Sequence, residues 1–297
     1  MTTLELLMYK LQQNRQKLSL SKRVWLFLLS GHILFSTLAF AEGGFKPGEE
    51  KFTLNAGVFL PTFNTKVTVN NSDLDLGSEI DVENDLGLKE DETVFWFGGT
   101  WRFAPRHRVG VAYFQFKRDA TKTLLTDLEI GDEIYEAGAT LESEFKLQTI
   151  PITYYYTFRK RENYQLSLSA GLHWMTLDLA VVGKANLGNQ ITDGNVSASA
   201  AAPMPLLGVE YEYYFNHRWT TAVHGEIFAI DLTDDTFAFS GAITNLSVNT
   251  IYYFIDNVGA GVAINWFTID IDIKDDDWNG GFDYEYLGPQ FFITARF

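Results

Sequence analysis

Along the chain from Phe52 to Phe297, apolar and polar residues alternate with a period of two, and aromatic residues crowd the ends of the alternating runs. That period belongs to strands with one apolar and one polar face. It predicts strands near 50–69, 92–103, 108–124, 138–159, 164–183, 200–215, 218–233, 236–255, 258–274 and 282–297. The last of these sets Leu287, Phe291, Ile293, Ala295 and Phe297 on one face and Gln290, Thr294 and Arg296 on the other. Soluble β-sandwiches also alternate, so alternation by itself leaves the class open.

The connections are of two kinds. Ala104-Pro105-Arg106-His107, Lys160-Arg161-Glu162-Asn163, Asn216-His217 and Asp256-Asn257 are tight polar turns. The alternate connections, Asn70 to Asp91, Thr126 to Glu136 and Gly183 to Ser199, are longer and mostly acidic or small. Short turns on one side and long loops on the other suit an antiparallel up-and-down transmembrane β-barrel, and about ten strands, an even number, would leave both chain ends on the periplasmic side. The connection between Leu232 and Thr236 is short for a surface loop, so eight or twelve strands stay open. Four strands that leave the tight turns share a repeat, beginning at Ala112, His173, Glu226 and Asn265.

Within several strands the alternation inverts. Tyr164, Leu166, Leu168, Ala170, Leu172 and Trp174 are the apolar set until Trp174, after which Met175, Leu177, Leu179 and Val181 take over. The strand from Val258 changes the same way after Trp266. A β-bulge at each site would do this, but five or more bulges at matched heights is a costly assumption. One cause explains all of them: a lipid-facing band of roughly 9–11 residues ends there, and the strands continue above the outer leaflet. Tyr113, Trp174 and Trp266 then form the outer aromatic girdle. Above it, Leu177, Leu179, Phe237, Phe239, Ile269 and Ile271 turn inward as an apolar upper lumen. These side chains either fill the interior as a core or line a pocket for a lipid-like ligand.

The segment Val24 to Ala41 is apolar, follows Lys22-Arg23 and closes on Ala39-Phe40-Ala41. It reads as a signal peptide over residues 1–41, with a barrel over 42–297. Removing 1–41 takes away five Lys and Arg and one Glu, leaving 18 basic against 37 acidic residues, a formal charge of −19. Nucleic acid is excluded as a partner on that balance. No later segment has the eighteen or so apolar residues of a membrane helix, so a membrane chain of this kind must cross with strands. The absence of Cys fits an exported chain that does not rely on disulfides.

At the level of the membrane, alternation points Glu210, Glu212, His224 and Glu226 into the lumen on adjacent strands, with Arg102 roughly opposite. Charges held there need partners or water. The favoured reading is an ion-pair network that stiffens a narrow barrel; a solute-selecting constriction and acid–base catalysis are the alternatives. The first outer loop carries Asp73, Asp75, Glu79, Asp81, Glu83, Asp85, Glu90, Asp91 and Glu92. A solvated hairpin extension is expected there, with divalent-cation binding beside lipopolysaccharide as the other reading. Asp275, Asp277 and Asn279 copy half of a calcium loop, but position twelve is Tyr286, so a hairpin turn at Asn279-Gly280 is expected instead. No nucleophile elbow, phosphate-cradling loop or His/Cys metal spacing is present, so no catalytic residue and no cofactor is expected.

The strand ending on Phe297 resembles the signal read by the outer-membrane barrel assembly machinery. The stretches Gly77 to Lys89, Trp101 to Gln115, Ala202 to Asn216, Gly259 to Thr268 and Asp283 to Phe297 resemble a recurrent family of small proteobacterial outer-membrane barrels, porin-like or OmpA-like, to which no activity is attached. The resemblance implies a cell-outer-membrane location and contact with outer-membrane lipid and lipopolysaccharide. The tall shape is also similar to that of omptin proteases, but those need an Asp pair facing an Asp-His pair at the outer rim, and no His lies in any outer loop here. The expectation is therefore a non-enzymatic barrel with an envelope-structural or surface-contact role and an occluded lumen. A narrow channel or a conduit for small hydrophobic molecules comes second, and a lipid-modifying enzyme third.

Overall fold

The computed structural model describes residues 46–71, 76–130, 133–187, 190–233, 237–275 and 278–297, and among them there is no helix. The signal-peptide segment lies outside the described residues. The strands are β1 (Phe52–Phe59), β2 (Thr62–Asn71), β3 (Leu76–Asp81), β4 (Val94–Ala104), β5 (His107–Thr123), β6 (Leu128–Ile130), β7 (Glu133–Tyr135), β8 (Thr140–Lys160), β9 (Tyr164–Leu187), β10 (Gln190–Tyr214), β11 (Trp219–Thr233), β12 (Phe237–Ile255), β13 (Val258–Asp275) and β14 (Trp278–Arg296). Ten of them close an antiparallel ring in the order β1-β4-β5-β8-β9-β10-β11-β12-β13-β14, with β14 pairing back to β1. β6 and β7 form a separate hairpin on a long connection. The four tight turns and both ends of the described chain lie at one end of the ring.

β2 continues β1 after a break at Leu60-Pro61, and both halves pair with β14. Proline has no N–H to give to a ladder, so pairing must lapse there. Gly288 faces the break, where a Cβ would stand 2.3 Å from the Leu60 carbonyl oxygen and 2.6 Å from Pro61 Cα. Gly288→Ala is expected to cost about 1–3 kcal/mol through that overpacking. Urea titration of the refolded barrel checks this, and an unchanged midpoint would mean that the close approach is dispensable.

The inverted alternation comes without bulges. The β8–β9 and β9–β10 registers run unbroken past Trp174 and Met175, and the β12–β13 and β13–β14 registers run unbroken past Trp266 and Phe267. Register shifts occur beside the tight turns instead, at Arg102/Ala104, Thr157/Arg159 and Tyr253/Ile255. In β9 the buried residues are Gln165, Ser167, Ser169 and His173 and then Met175 and Val181, all of one parity. The same face points inward throughout, and its chemistry changes from polar to apolar. The outer wall changes the opposite way. Phe95 at 77% exposure, Ile227 and Leu207 stand bare on the half of the wall that runs up from the tight turns, whereas Asp270, Asp283 and Glu285 cover the other end.

The apolar half of the lumen is a packed core. Phe59, Phe63, Phe116, Phe145, Tyr284 and Tyr286 are buried together, with ring centroids 5.0 Å apart for Phe63–Phe116 and 5.3 Å for Phe59–Tyr286. Edge-on aromatic pairs of this kind add about 0.5–1.5 kcal/mol each beyond area burial. Ile269 is buried in this cluster, and Leu177, Leu179 and Ile271 pack against it. Phe239 is half-buried; the Phe237 side chain lies outside the described residues.

Three expectations for the loops need correction. Residues 82–89 are not a solvated extension: they leave the wall between β3 and β4 and bury Val82, Leu86 and Leu88 in the core. The chain rejoins the wall where Phe63 N–H donates to the Glu90 carbonyl and Thr62 bridges Asp91. The sequence hid this because the apolar residues alternate with acids, the pattern of a hairpin with one solvated face. The stretch 183–199 is largely ladder rather than loop, since β9 and β10 pair as far as Leu187 and Gln190; small Gly, Ala and Ser residues hide the alternation. Asn279 and Gly280 are already in β14, opposite Lys274 and Ile273, so the hairpin closes between Asp275 and Trp278. Asp277 lies outside the described residues, as do the Asp275 and Asn279 side chains and the acids Asp73 and Asp75.

On the outer wall, Asp283 is paired in register with Asp270 and Lys66. Partial burial, and then the like charges of Asp270 and Asp272, raise its pKa above the ordinary 3.8. A carboxyl raised by folding favours the folded state below its unfolded pKa and loses that contribution as pH climbs through the raised value. The wild-type denaturation midpoint is therefore expected to fall more between pH 4 and pH 7 than that of Asp283→Asn. Parallel slopes for the two proteins would contradict this.

Candidate functional site

The polar half of the lumen is built by residues of fixed parity on neighbouring strands. β10 points Glu210 and Glu212 inward, β11 points Thr220, His224 and Glu226 inward, and Glu210 and His224 are register partners. β5 presents Arg108, 7% exposed, from the start of its ladder. Its Nη1 donates to Glu212 Oε2 at 3.0 Å and its Nη2 pairs with Glu210. The guanidinium also lies 4.3 Å from the Tyr155 ring centroid. Gln165 adds a donor to Glu212. Of the residues expected to share one network, Glu210 and Glu212 meet on Arg108 rather than on Arg102, which is its register partner on β4 and lines the same space.

Higher in the lumen, Glu226 is fully buried between two imidazoles. His173 Nε2 stands 3.6 Å from Oε2 and His224 Nε2 stands 3.5 Å from Oε1. Asn245 Nδ2 donates to Oε2 at 3.0 Å. Gly208 permits this placement, because a Cβ there would meet Glu226 Cγ at 2.6 Å and Ser169 Oγ at 2.8 Å. His173, missed by the sequence reading, carried the signal of inward parity beside Trp174. Ser169 Oγ lies 3.2 Å from His224 Nε2. That nitrogen also faces Glu226, whereas a nucleophile relay needs the acid on Nδ1 and the hydroxyl on Nε2. The arrangement ties groups together and does not activate the serine. Among the described residues no group of three His, Asp or Glu side chains is placed to hold a metal ion.

The tight-turn end is floored. Arg296, 1% exposed, donates through Nε to the Asp256 carbonyl at 2.7 Å and through Nη2 to the His217 carbonyl at 2.9 Å, and its guanidinium lies 3.5 Å from the Tyr253 ring centroid. Residues 46–50 cross below β1: Lys160 Nζ donates to the Gly48 carbonyl at 3.0 Å, and Glu50 reaches Arg296 at 3.4 Å. Burial, opposed in part by backbone hydrogen bonds, raises the Glu50 pKa. Above this floor lies a polar cavity of about 220 Å³, lined by Glu50, Asn55, Arg102, Arg108, Glu212 and Tyr214 among others.

At the opposite end a second buried pair pins the excursion of residues 82–89. Arg118 pairs with Glu83, their side chains 1% and 5% exposed. Arg118 also donates to Thr65 Oγ1 at 2.9 Å and to the Lys89 carbonyl at 3.2 Å, between the rings of Phe63 and Phe145. The other Glu83 oxygen accepts the Thr65 N–H at 2.8 Å.

The expected girdle residues lie on the outer face at the change of wall chemistry. Trp174 is exposed opposite Ile150, Tyr113 stacks on Phe97 with centroids 5.3 Å apart, and Trp266 Nε1 donates to Glu285 at 2.7 Å. Phe297 closes the ring through backbone bonds with Phe52.

No protein-family model and no curated protein matches the sequence. Among solved structures, the chain is similar to the outer membrane protease OmpT from Escherichia coli, at 12% identity and a TM-score of 0.54, over 82% of this chain and 97% of that one. It also aligns with the Pseudomonas putida toluene transporter TodX, at 12% identity and a TM-score of 0.35 over 88% and 92% of the chains. Neisserial surface protein A aligns at 10% identity and a TM-score of 0.30 over 83% and 97%. The likeness to OmpT establishes a shared barrel fold.

Proposed function

We propose that this chain is an outer-membrane β-barrel of a Gram-negative envelope, exported by residues 1–41, with a structural or surface-contact role and an occluded lumen. The observation that carries the reading is the filled interior: Arg296 and residues 46–50 floor it, the Arg108 and Glu226 networks cross it, and residues 82–89 with the aromatic cluster fill its upper half. The bare apolar wall from the tight turns to Trp174 supports placement of that half in lipid. The acidic wall above Trp266 would then face lipopolysaccharide or solvent, and the tight turns and both chain ends the periplasm.

OmpT is a protease by name, but a non-enzymatic reading suits this chain better. Its His107 and His217 lie at the tight-turn end, and His173 and His224 are inside the barrel. One observation favours a conduit for hydrophobic molecules as second reading: β4 pairs with β5 only up to Trp96↔Phe114, so the wall above is closed by the apolar side chains of 82–89 rather than by a ladder. Cells lacking the gene are expected to take up a hydrophobic dye faster than wild type, with small-solute uptake unchanged. Slower uptake of small solutes across an intact barrier would instead support a pore.

A further inference from the structure

Lys66 and Lys117, on the acidic end of the wall, meet carboxylates of neighbouring strands, Glu79 and Glu144. At the tight-turn end Lys160 pairs with Glu49, but Lys51, Arg106, Arg159, Arg161 and Arg218 are exposed and meet no carboxylate among the described residues. Arg218 Nε reaches the His217 imidazole at 3.3 Å. Glu162 and Asp256 are the exposed acids left beside them among the described residues. This rim is therefore basic, on a chain that carries 18 basic against 37 acidic residues once 1–41 are removed.

The free cations stand at the foot of the apolar wall. Lys51, Arg159 and Arg218 are each next in sequence to an exposed aromatic residue, Phe52, Phe158 and Trp219. Lys51 Nζ lies 6.0 Å from the Phe52 ring centroid, and the Arg159 guanidinium 5.8 Å from that of Tyr164. Phe52, Trp101, Phe103 and Tyr154 form a run of rings with successive centroids 6.4, 5.6 and 6.5 Å apart. Rings in such a belt sit at headgroup level, and Lys and Arg beside them lay their stems on apolar surface and hold their charge among the headgroups. The cations are spread around the ring, at the start of β1 and at the β4–β5, β8–β9 and β10–β11 turns, so they do not converge on one ligand. A surface of many separate anions fits them. A periplasmic polymer would call for cations reaching past the wall, whereas Lys51 and Arg159 lie against its rings. We infer that this rim is a basic collar that selects anionic phospholipid headgroups, an inference that rests on the outer-membrane reading above and places those lipids in the periplasmic leaflet.

Spin-labelled lipids test the collar. In phosphatidylcholine vesicles holding the purified full-length barrel, spin-labelled phosphatidylglycerol is expected to be immobilised by the protein in preference to spin-labelled phosphatidylcholine. The preference is expected to reach up to about fivefold, the factor that one Lys or Arg near an anionic surface contributes, and to vanish at high salt. The variant Arg106→Gln, Arg159→Gln, Arg161→Gln, Arg218→Gln is expected to lose most of it, and Lys66→Gln with Lys117→Gln to keep it. Insertion without any preference, a preference unchanged by the four arginine substitutions, or one that survives high salt would overturn the collar; the salt readout holds even if the fourfold variant fails to fold. A chain that inserts into vesicles of neither lipid would instead overturn the outer-membrane reading itself.

Discussion

Replacing Glu83 by Ala is expected to lower the unfolding free energy by about 3–5 kcal/mol, the cost of leaving one member of a buried ion pair uncompensated. Arg118 would keep its bonds to Thr65 and the Lys89 carbonyl but lose its only counter-charge among the described residues, and the Thr65 N–H would lose its acceptor. Residues 82–89 should then come away from the core, because Val82, Leu86 and Leu88 are held by burial and by few backbone bonds to the wall. Two measurements check this: the urea midpoint, and the rate of tryptic cleavage after Lys89, which is expected to rise sharply. The double variant Glu83→Ala, Arg118→Met removes both charges and should recover a large part of the loss. A double variant as unstable as Glu83→Ala would place the effect in packing rather than in charge.

Arg108→Ala has a comparable expected cost, about 3–5 kcal/mol, for the same reason in the polar half of the lumen. It strands two carboxylates on adjacent turns of the β10 alternation, and Tyr155 loses the cation over its ring. Adding Glu210→Gln and Glu212→Gln to Arg108→Ala is expected to restore most of the midpoint, since neutral amides need no counter-ion. If the triple variant stays as unstable as the single one, then Arg108 acts by filling space.

Alternation carried most of the fold. It located nine of the ten ring strands within a few residues, β10 starting at Gln190 instead of near 200; each strand has one face outward and one against the interior, and a slip by one residue would exchange the two. The same rule made the inverted phase informative: Trp174 and Trp266 are where the chemistry of the outer wall changes, and the unbroken ladders leave nothing for a bulge to explain. It also contained what was overlooked. Val109, Val111 and Tyr113 alternate with Arg108, Gly110 and Ala112, so Arg108 and Arg118 are inward by parity. Their partners could not be chosen that way, since which strands lie across a lumen depends on shear and on side-chain length. Glu83 was out of reach for a further reason, because it sits among acids that alternate with apolar residues and read as the solvated face of a hairpin.

The interior is filled from Arg296 to Leu86, and electrical recording tests that most directly. Purified wild-type protein reconstituted in a planar bilayer is expected to give no discrete conductance steps at 1 M KCl, and Glu83→Ala is expected to add at most sporadic ones. Reproducible, uniform steps from the wild type would contradict the occluded barrel and make the Arg108–Glu210–Glu212 network the constriction of a pore.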